Sequence, residues 1–148
     1  MYAHVSVLVR EAMDFLRPVS GKRYVDGTLG GGGHSEAILT ASGPDGQVVG
    51  VDRDDEAVAA ASGRLERFGA RLTVRQASFA DVREVLAEIG WNGVDGVILD
   101  LGVSSWQIDA AERGFSFRLG GRLDMRMDRR QSLDACRLVN TATVDELM

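Results

Sequence analysis

Four consecutive glycines, Gly30 to Gly33, follow a short apolar run that ends in an acid, Asp26. Glycine has no Cβ, so a ligand can approach the main chain, and the first N–H groups of a following helix can bind it. A strand, a glycine-rich turn and a helix in this order hold nucleotide-like cofactors in doubly wound sheets. The segment alone fits such a site or a simple tight loop, and the rest of the chain favours the site.

Predicted strands alternate with predicted helices along the first hundred residues. The strands are expected at 23–26, 47–52, 71–75 and 94–101, and the helices at 7–16, 35–40, 55–68 and after Asp81. This alternation predicts βαβ units and a parallel sheet, which is the α/β class. In such a sheet the first and fourth strands flank the point where strand order reverses, and ligands bind at the carboxyl ends there.

The pattern changes after Gly102. Residues 103–131 show no sustained period and are expected to be mostly loop, and two helical pieces close the chain. Seven arginines against three aspartates lie between Arg113 and Arg137, although the whole chain has a net charge of -5. This segment fits a phosphate-bearing partner or a solvated loop equally well. The single cysteine forms no disulfide within the chain and fits a reducing cytoplasm, and no apolar run approaches the ~20 residues that span a bilayer.

Three cofactors fit a glycine turn: a dinucleotide, a nucleoside triphosphate and S-adenosylmethionine. A phosphate-binding loop needs Lys and then Ser or Thr after its last glycine, but His34 stands there, and the dinucleotide pattern needs glycine where Ser35 stands. Asp26 would repel a pyrophosphate but suits an ammonium and a sulfonium. Asp52 ends the second strand twenty residues beyond Gly32 and can accept from ribose hydroxyls, or it caps the next helix. S-adenosylmethionine fits best, and no metal site is expected.

Several long motifs resemble those of one known family, the MraW (RsmH) family. They are His4-Val, Asp26-Gly-Thr-Leu-Gly-Gly-Gly-Gly-His-Ser35, Gly50-Val-Asp-Arg-Asp54, Leu99-Asp-Leu-Gly-Val-Ser-Ser105, Glu112-Arg-Gly-Phe-Ser-Phe117 and Leu123-Asp-Met-Arg-Met-Asp128. Members are bacterial methyltransferases that use S-adenosylmethionine to modify the N4 amine of a cytosine in small-subunit (16S) ribosomal RNA. They are about twice as long, with a helical insertion after the fourth strand. The resemblance therefore implies a truncated Rossmann-like class I methyltransferase domain that stops inside the insertion.

The resemblance also implies a domain division and a set of site residues. The divisions are a cofactor-binding domain at 1–105, an arginine-rich loop near the substrate at 106–131 and the start of the insertion at 132–148. The cofactor would be bound by Gly32, Gly33, His34, Asp52 (ribose), Phe79 (adenine), Asp100 and Gln107. Taken without the resemblance, Phe79 fits an ordinary core residue equally well and His34 a helix-start residue. Gln107 rests on the resemblance alone.

The implied reaction is direct displacement at the sulfonium methyl. The N4 lone pair of cytosine is delocalised into the ring, so acceptors aimed at its hydrogens would localise and orient it. Asp100 is the candidate catalytic acceptor, through its side chain or the adjacent carbonyls. Methyltransferases acting on amines in DNA often have an acid or Asn followed by two prolines and an aromatic here, whereas this chain has Asp100-Leu-Gly-Val.

The target base must leave its stack to reach such a pocket, and aromatic rings or arginine planes often receive RNA bases. The candidates for RNA contact are Trp106, Phe115, Phe117, Arg113, Arg118, Arg122 and Arg126. The aromatic rings fit packing of the loop onto the core equally well.

Three other functions stay open. They are methylation of a small amine, cofactor binding without activity because later strands are absent, and NAD-dependent oxidoreduction, which the glycine spacing disfavours. The expected partner is small-subunit ribosomal RNA or the small subunit, in the cytoplasm and not at a membrane. The missing strands leave an open sheet edge, which is a liability for self-association, so a homodimer stays open as well.

Overall fold

A computed structural model describes residues 6–148 of the chain. Residues 1–5, which include the His4-Val pair of the resemblance, lie outside the described residues. The chain divides into two compact units, of which the first ends at Leu101 and the second begins at Gly102. The three-part division expected from the sequence stays a prediction.

The first unit is a four-stranded sheet with helices between its strands. Its elements are α1 (Val9–Leu16), β1 (Arg23–Asp26), α2 (Gly33–Ala41), β2 (Gln47–Asp52), α3 (Asp55–Leu65), β3 (Leu72–Gln76), α4 (Val82–Glu88) and β4 (Gly96–Ile98). The strand order is β3-β2-β1-β4, and every pair is parallel. The predicted α/β class is confirmed. The carboxyl ends of β1 and β4 lie side by side, with Val25 opposite both Val49 and Val97.

Strands β1 and β2 are buried on both faces of the sheet. Successive side chains of a strand point to opposite sides, so each face packs against different helices. Tyr24 packs with Ile38 and Leu39 of α2 on one side. Its neighbour Val25 packs in a separate cluster with Val85 of α4 on the other. Two-sided burial explains the continuous apolar run of β2, which is the sequence pattern of a parallel strand.

Several elements differ from their predicted bounds, and α2 and β3 do so by only one or two residues at each end. Helix α1 begins at Val9, and α3 ends at Leu65, after which a 3-10 turn covers Glu66–Arg71. Strand β4 is only Gly96–Ile98, whereas 94–101 was expected. Beyond Ile98 the main chain leaves the ladder, because the N–H of Asp100 donates to a side chain of the turn after β1.

The second unit contains three short helices, α5 (Ser105–Asp109), α6 (Ala135–Thr141) and α7 (Val144–Leu147). The two closing helices were predicted, and the expected capping box of Thr143 and Glu146 opens α7. Helix α5 falls in the segment expected to be mostly loop, and a second capping box, of Ser104 and Gln107, opens it. Across residues 6–148, no helix is both long and apolar enough to cross a membrane.

Candidate functional site

The turn after β1 is hydrogen-bonded to the ends of two other strands. The Oγ1 of Thr28 accepts from the N–H of Asp100, just beyond β4, at 2.6 Å. The N–H of Gly30 donates to Oδ2 of Asp52, the last residue of β2, at 2.8 Å. Two acids that the sequence placed at strand ends are therefore both attached to the glycine turn.

Phe79 adjoins the same turn from the end of β3. A Cβ added at Gly27 would lie 3.1 Å from Cβ of Phe79 and 2.4 Å from Cδ2 of Leu99, so glycine lets these segments approach the turn without displacing either side chain. Phe79 is 41% exposed. The alternative of an ordinary core residue is therefore wrong, and an exposed aromatic face adjoins the turn.

Asp52 has a structural role that its position in the sequence does not reveal. Besides the bond from Gly30, its Oδ1 accepts from the N–H of Asp54 at 3.0 Å. The N-cap of α3 is Asp54, whose Oδ1 accepts from the N–H of Glu56 at 3.1 Å, so Asp52 is not the cap. A carboxylate oxygen can accept more than one hydrogen bond. Asp52 can therefore hold the turn and still accept from ribose hydroxyls.

Gly32 and Gly33 are both required by packing within the chain. Gly32 has φ +80°, and a Cβ there would lie 2.8 Å from Cδ1 of Leu65 and 3.3 Å from Cβ of Ala61, both in α3. A Cβ at Gly33 would lie 2.0 Å from Oγ of Ser6. Their α-carbons thus face other parts of the protein. The expected cofactor contact stays a prediction, for which their main-chain groups are the candidates.

His34 is buried in the first turn of α2 and contacts two segments. Its Nε2 lies 3.0 Å from the carbonyl oxygen of Val7, and its Nδ1 lies 4.0 Å from Oδ2 of Asp100. A carbonyl oxygen only accepts, so Nε2 carries the hydrogen of this bond. His34 therefore does more than start a helix.

Asp26 does not present its charge to a ligand. Its side chain is buried, where it accepts from Oγ of Ser35 at 2.8 Å and from the N–H of Thr28 at 3.2 Å. Burial raises the pKa of this carboxyl, and the two hydrogen bonds oppose the rise. The expectation that Asp26 faces a cationic cofactor is therefore wrong. The residue joins β1 to the turn and to α2.

Gln107, in the second unit, is buried at the start of α5. Its Oε1 accepts from the N–H of Ser104 at 3.0 Å, and its own N–H donates to Oγ of Ser104 at 3.2 Å. The spacing Ser-x-x-Gln is the sequence signal for this capping box. The contact of Gln107 with the cofactor stays a prediction.

Three of the arginines that were expected to contact RNA form hydrogen bonds or ion pairs within the second unit. Arg113 is buried, and its Nη2 donates to the carbonyl of Arg126 at 3.1 Å, so its predicted exposure to RNA is wrong. Arg126 forms a two-pronged pair with Asp124, at 2.8 and 2.7 Å, which lowers the pKa of Asp124 to about 2. Arg122 pairs with Asp134 at 2.5 Å.

Phe117 and Arg118 differ from these paired groups. Phe117 is 94% exposed, and the guanidinium carbon of Arg118 lies 5.6 Å from the centre of its ring. An exposed ring with an arginine beside it is the kind of surface on which nucleic-acid bases stack. Both residues were expected to contact RNA, and they retain that geometry.

Solved structures of low sequence identity share the fold of about two thirds of this chain. A SAM-dependent O-methyltransferase from Thermotoga maritima is 21% identical, with a TM-score of 0.52 over 68% of this chain and 37% of that one. An rRNA methylase from Streptococcus thermophilus is 21% identical, with a TM-score of 0.51 over 68% of this chain and 58% of that one. Together with the parallel sheet, they show the Rossmann-like methyltransferase fold that was predicted.

Curated relatives match the chain far more closely. It is 55% identical to the ribosomal RNA small subunit methyltransferase H of Citrifermentans bemidjiense, over 99% of this chain and 47% of the relative. The protein of the same name from Trichlorobacter lovleyi is 56% identical over the same shares. The chain thus spans about half the length of these relatives. The model of the MraW methylase family matches residues 1–148, and the chain belongs to that family.

Proposed function

We propose that this chain is the cofactor-binding half of an S-adenosylmethionine-dependent enzyme that methylates the N4 amine of a cytosine in small-subunit ribosomal RNA. One observation carries the proposal: a single glycine turn adjoins Asp52, Phe79 and Asp100, from the ends of three different strands. The names of the relatives support the RNA substrate.

The residues around the turn fit the chemical groups of S-adenosylmethionine. The exposed face of Phe79 suits the adenine ring, and the carboxylate of Asp52 suits the ribose hydroxyls. Asp100, whose side chain is 40% exposed, suits the reactive end. The cofactor, when bound, supplies an electrophilic methyl group on a sulfonium.

Asp100 acts on the nucleophile in this proposal. Its main chain is held by Thr28, so its carboxylate has a fixed origin at the carboxyl edge of the sheet. By accepting a hydrogen of the target amine, the carboxylate localises the nitrogen lone pair and aims it at the methyl group. Alignment of two reactants can lower a barrier by roughly 7–11 kcal/mol, so holding the amine is a sufficient role for this residue.

The second unit supplies the candidate RNA contacts. The exposed ring of Phe117 with Arg118 can receive an unstacked base, and exposed basic residues such as Arg137 can contact phosphates. The partner that we propose is small-subunit ribosomal RNA, which the names of the relatives support. The homodimer and the cytoplasmic location stay predictions.

The test combines binding and methyl transfer. Calorimetric titration of the chain with S-adenosylmethionine is expected to show binding, and titration with NAD none. Transfer of a labelled methyl group to small ribosomal subunits is expected to disappear in Asp100→Ala and to persist in Asp55→Ala, which changes an exposed acid on α3.

Each of the following outcomes would contradict one part of the proposal: the role of Asp100, the activity of this half alone, the substrate or the cofactor. Near-wild-type turnover by Asp100→Ala would remove Asp100 from the mechanism. Cofactor binding without transfer would support a binding module whose activity needs the other half of the longer relatives. Transfer to small amines but not to ribosomal RNA would overturn the substrate, and binding of NAD would overturn the cofactor.

A further inference from the structure

The loop of residues 114–124, which carries Phe117, is closed at its base. The main-chain N–H of Met125 donates to the carbonyl of Arg113 at 3.0 Å, so the residues that flank the loop are hydrogen-bonded to each other. The buried side chain of Arg113 also donates to the carbonyl of Arg126 at 3.1 Å. A surface loop whose ends are held together is compact, and such loops are frequently functional.

Two glycines allow the two halves of this base to approach closely. A Cβ at Gly114, whose φ is +71°, would lie 2.4 Å from the carbonyl oxygen of Arg122. A Cβ at Gly121 would lie 2.1 Å from the carbonyl oxygen of Ala111. Both of these oxygens belong to the main chain, which cannot move aside as the end of a flexible side chain can. A side chain at either position would therefore open the base of the loop.

The tip of the loop is held by the hydroxyl of Ser116. Its Oγ accepts from the main-chain N–H of Arg118 at 3.2 Å and from that of Leu119 at 3.3 Å. Serine hydroxyls stabilise turns through hydrogen bonds of this kind. Phe117 lies within the turn, and its ring is 94% exposed. The loop thus presents an aromatic ring to solvent from a main chain that is held in place.

The charge beside this ring is available to a ligand. The guanidinium carbon of Arg118 lies over the ring of Phe117, 5.6 Å from its centre, which is the range of a cation–π contact. Among residues 6–148, no carboxylate lies within ion-pair distance of Arg118. Arg122 and Arg126, by contrast, both pair with aspartates. A flat base can stack on the open part of the ring, and a phosphate can approach the cation.

We propose that the 114–124 loop is preformed to stack one unpaired RNA base on Phe117, and that Ser116 and Gly121 are its positioning residues. The inference rests on the proposed function, from which the RNA follows. In a duplex each base is already stacked between its neighbours, so an exposed ring suits an unpaired nucleotide. Because the loop is already closed, binding does not have to order its main chain, which favours affinity.

The first experiment tests Ser116 with two variants. Ser116→Ala removes the acceptor of both N–H groups, whereas Ser116→Thr keeps it. The probes are a single-stranded RNA oligonucleotide and the same strand in a duplex, and fluorescence anisotropy at one salt concentration measures the affinity for each. Ser116→Ala is expected to weaken binding of the single strand about 3- to 10-fold and to leave binding of the duplex unchanged. Ser116→Thr is expected to bind both probes as the wild type does.

A double-variant cycle separates positioning of the ring from a general loss of structure. Phe117→Ala should weaken binding of the single strand about 5- to 100-fold. If Ser116 acts through the ring, adding Ser116→Ala to Phe117→Ala causes no further loss. Additive losses, or equal losses for single strand and duplex, would overturn the inference. Thermal unfolding of each variant monitors folding.

The second experiment tests the base of the loop with two neighbouring glycines. Gly121→Ala is expected to open the base and to weaken binding of the single strand at least as much as Ser116→Ala does. A Cβ at Gly120 would meet nothing within 4 Å, so Gly120→Ala controls for the added methyl group and should retain both affinities. Wild-type affinity in Gly121→Ala would refute positioning by the base of the loop.

The nature of the partner is decided by comparing protein-free small-subunit ribosomal RNA with the assembled small subunit. Phe117→Ala is expected to lose affinity for both. Loss of affinity for the subunit alone would mean that the ring contacts a ribosomal protein, and it would overturn the inference. Binding of S-adenosylmethionine by a wild-type chain that does not prefer single-stranded RNA would also overturn the inference but not the cofactor. A chain that prefers single-stranded RNA but binds no S-adenosylmethionine would instead refute the proposed function.

Discussion

Asp52→Asn separates the two roles that the structure suggests for the acid at the end of β2. The carboxylate accepts from two main-chain N–H groups, those of Gly30 at 2.8 Å and Asp54 at 3.0 Å. Asparagine offers one oxygen and one NH2 group, so one of these N–H groups loses its acceptor and faces a donor. The substitution keeps the size of the side chain, which limits other effects.

The magnitude follows from these contacts. A hydrogen bond to a charged group contributes about 1.5–3 kcal/mol, and partial solvent access lets water replace some of it, so the free energy of unfolding should fall by about 1–2 kcal/mol. The affinity for S-adenosylmethionine should fall about 10-fold, because a neutral amide replaces the charged acceptor for the ribose.

The assay compares urea unfolding of the free chain with calorimetric binding of S-adenosylmethionine and its 3′-deoxyribose analogue. The wild type should prefer the hydroxyl-bearing ligand, and Asp52→Asn should lose that preference. Asp54→Ala is the matched control, since loss of the α3 N-cap costs about 1 kcal/mol but leaves the preference intact. A variant that is destabilised but still discriminates would refute the ribose role. Unchanged stability would refute the support of the glycine turn.

Three further predictions concern other parts of the chain. Gly32→Ala should lower the free energy of unfolding by about 2–3 kcal/mol, because an L-residue at φ +80° is strained and its Cβ overlaps Leu65. Urea titration without ligand measures this loss, and unchanged stability would contradict the packing role of Gly32. The pair with Arg126 lowers the pKa of Asp124 from 3.8 to about 2, so it stabilises the fold above about pH 4 and is lost as the pH falls towards 2. Asp124→Asn should therefore cost about 2 kcal/mol at pH 7 and progressively less below pH 4, and a cost independent of pH would refute the ionic origin. Phe117→Ala should weaken binding to small-subunit ribosomal RNA about 5- to 100-fold, because a base loses the ring on which it stacks. Its stability should be unchanged, because the ring is 94% exposed, and Phe117→Trp should retain RNA affinity. Wild-type RNA affinity in Phe117→Ala would exclude stacking on this residue.

The local patterns of the sequence were sufficient to locate the strands and the acids at their ends. Strand β2 was predicted with its observed bounds, because a continuous apolar run between turn signals is typical of a buried parallel strand. Asp52 and Asp100 could be assigned to one edge, because parallel strands present their carboxyl ends together.

Pairings between distant residues could not be read from these patterns. Arg113 looked like an exposed cation, but its guanidinium donates to the carbonyl of Arg126 in a buried position. The sequence suggested that Gly33 lacks a side chain to make room for a ligand, but Ser6 occupies the space that its Cβ would take. Charge and residue type do not reveal which group fills the neighbouring space.

The order of the amino acids alone determines the fold class. The spacing of apolar residues, the helix caps and the glycines each act over a few residues, so their effect does not depend on the rest of the structure. The order also sets the family, through long motifs. Tertiary structure decides what each motif residue touches: Asp26 is buried against Ser35, and the Val7 carbonyl selects the tautomer of His34. These contacts join segments up to 27 residues apart and exist only after the sheet and helices pack, because burial and donor geometry belong to the assembled fold.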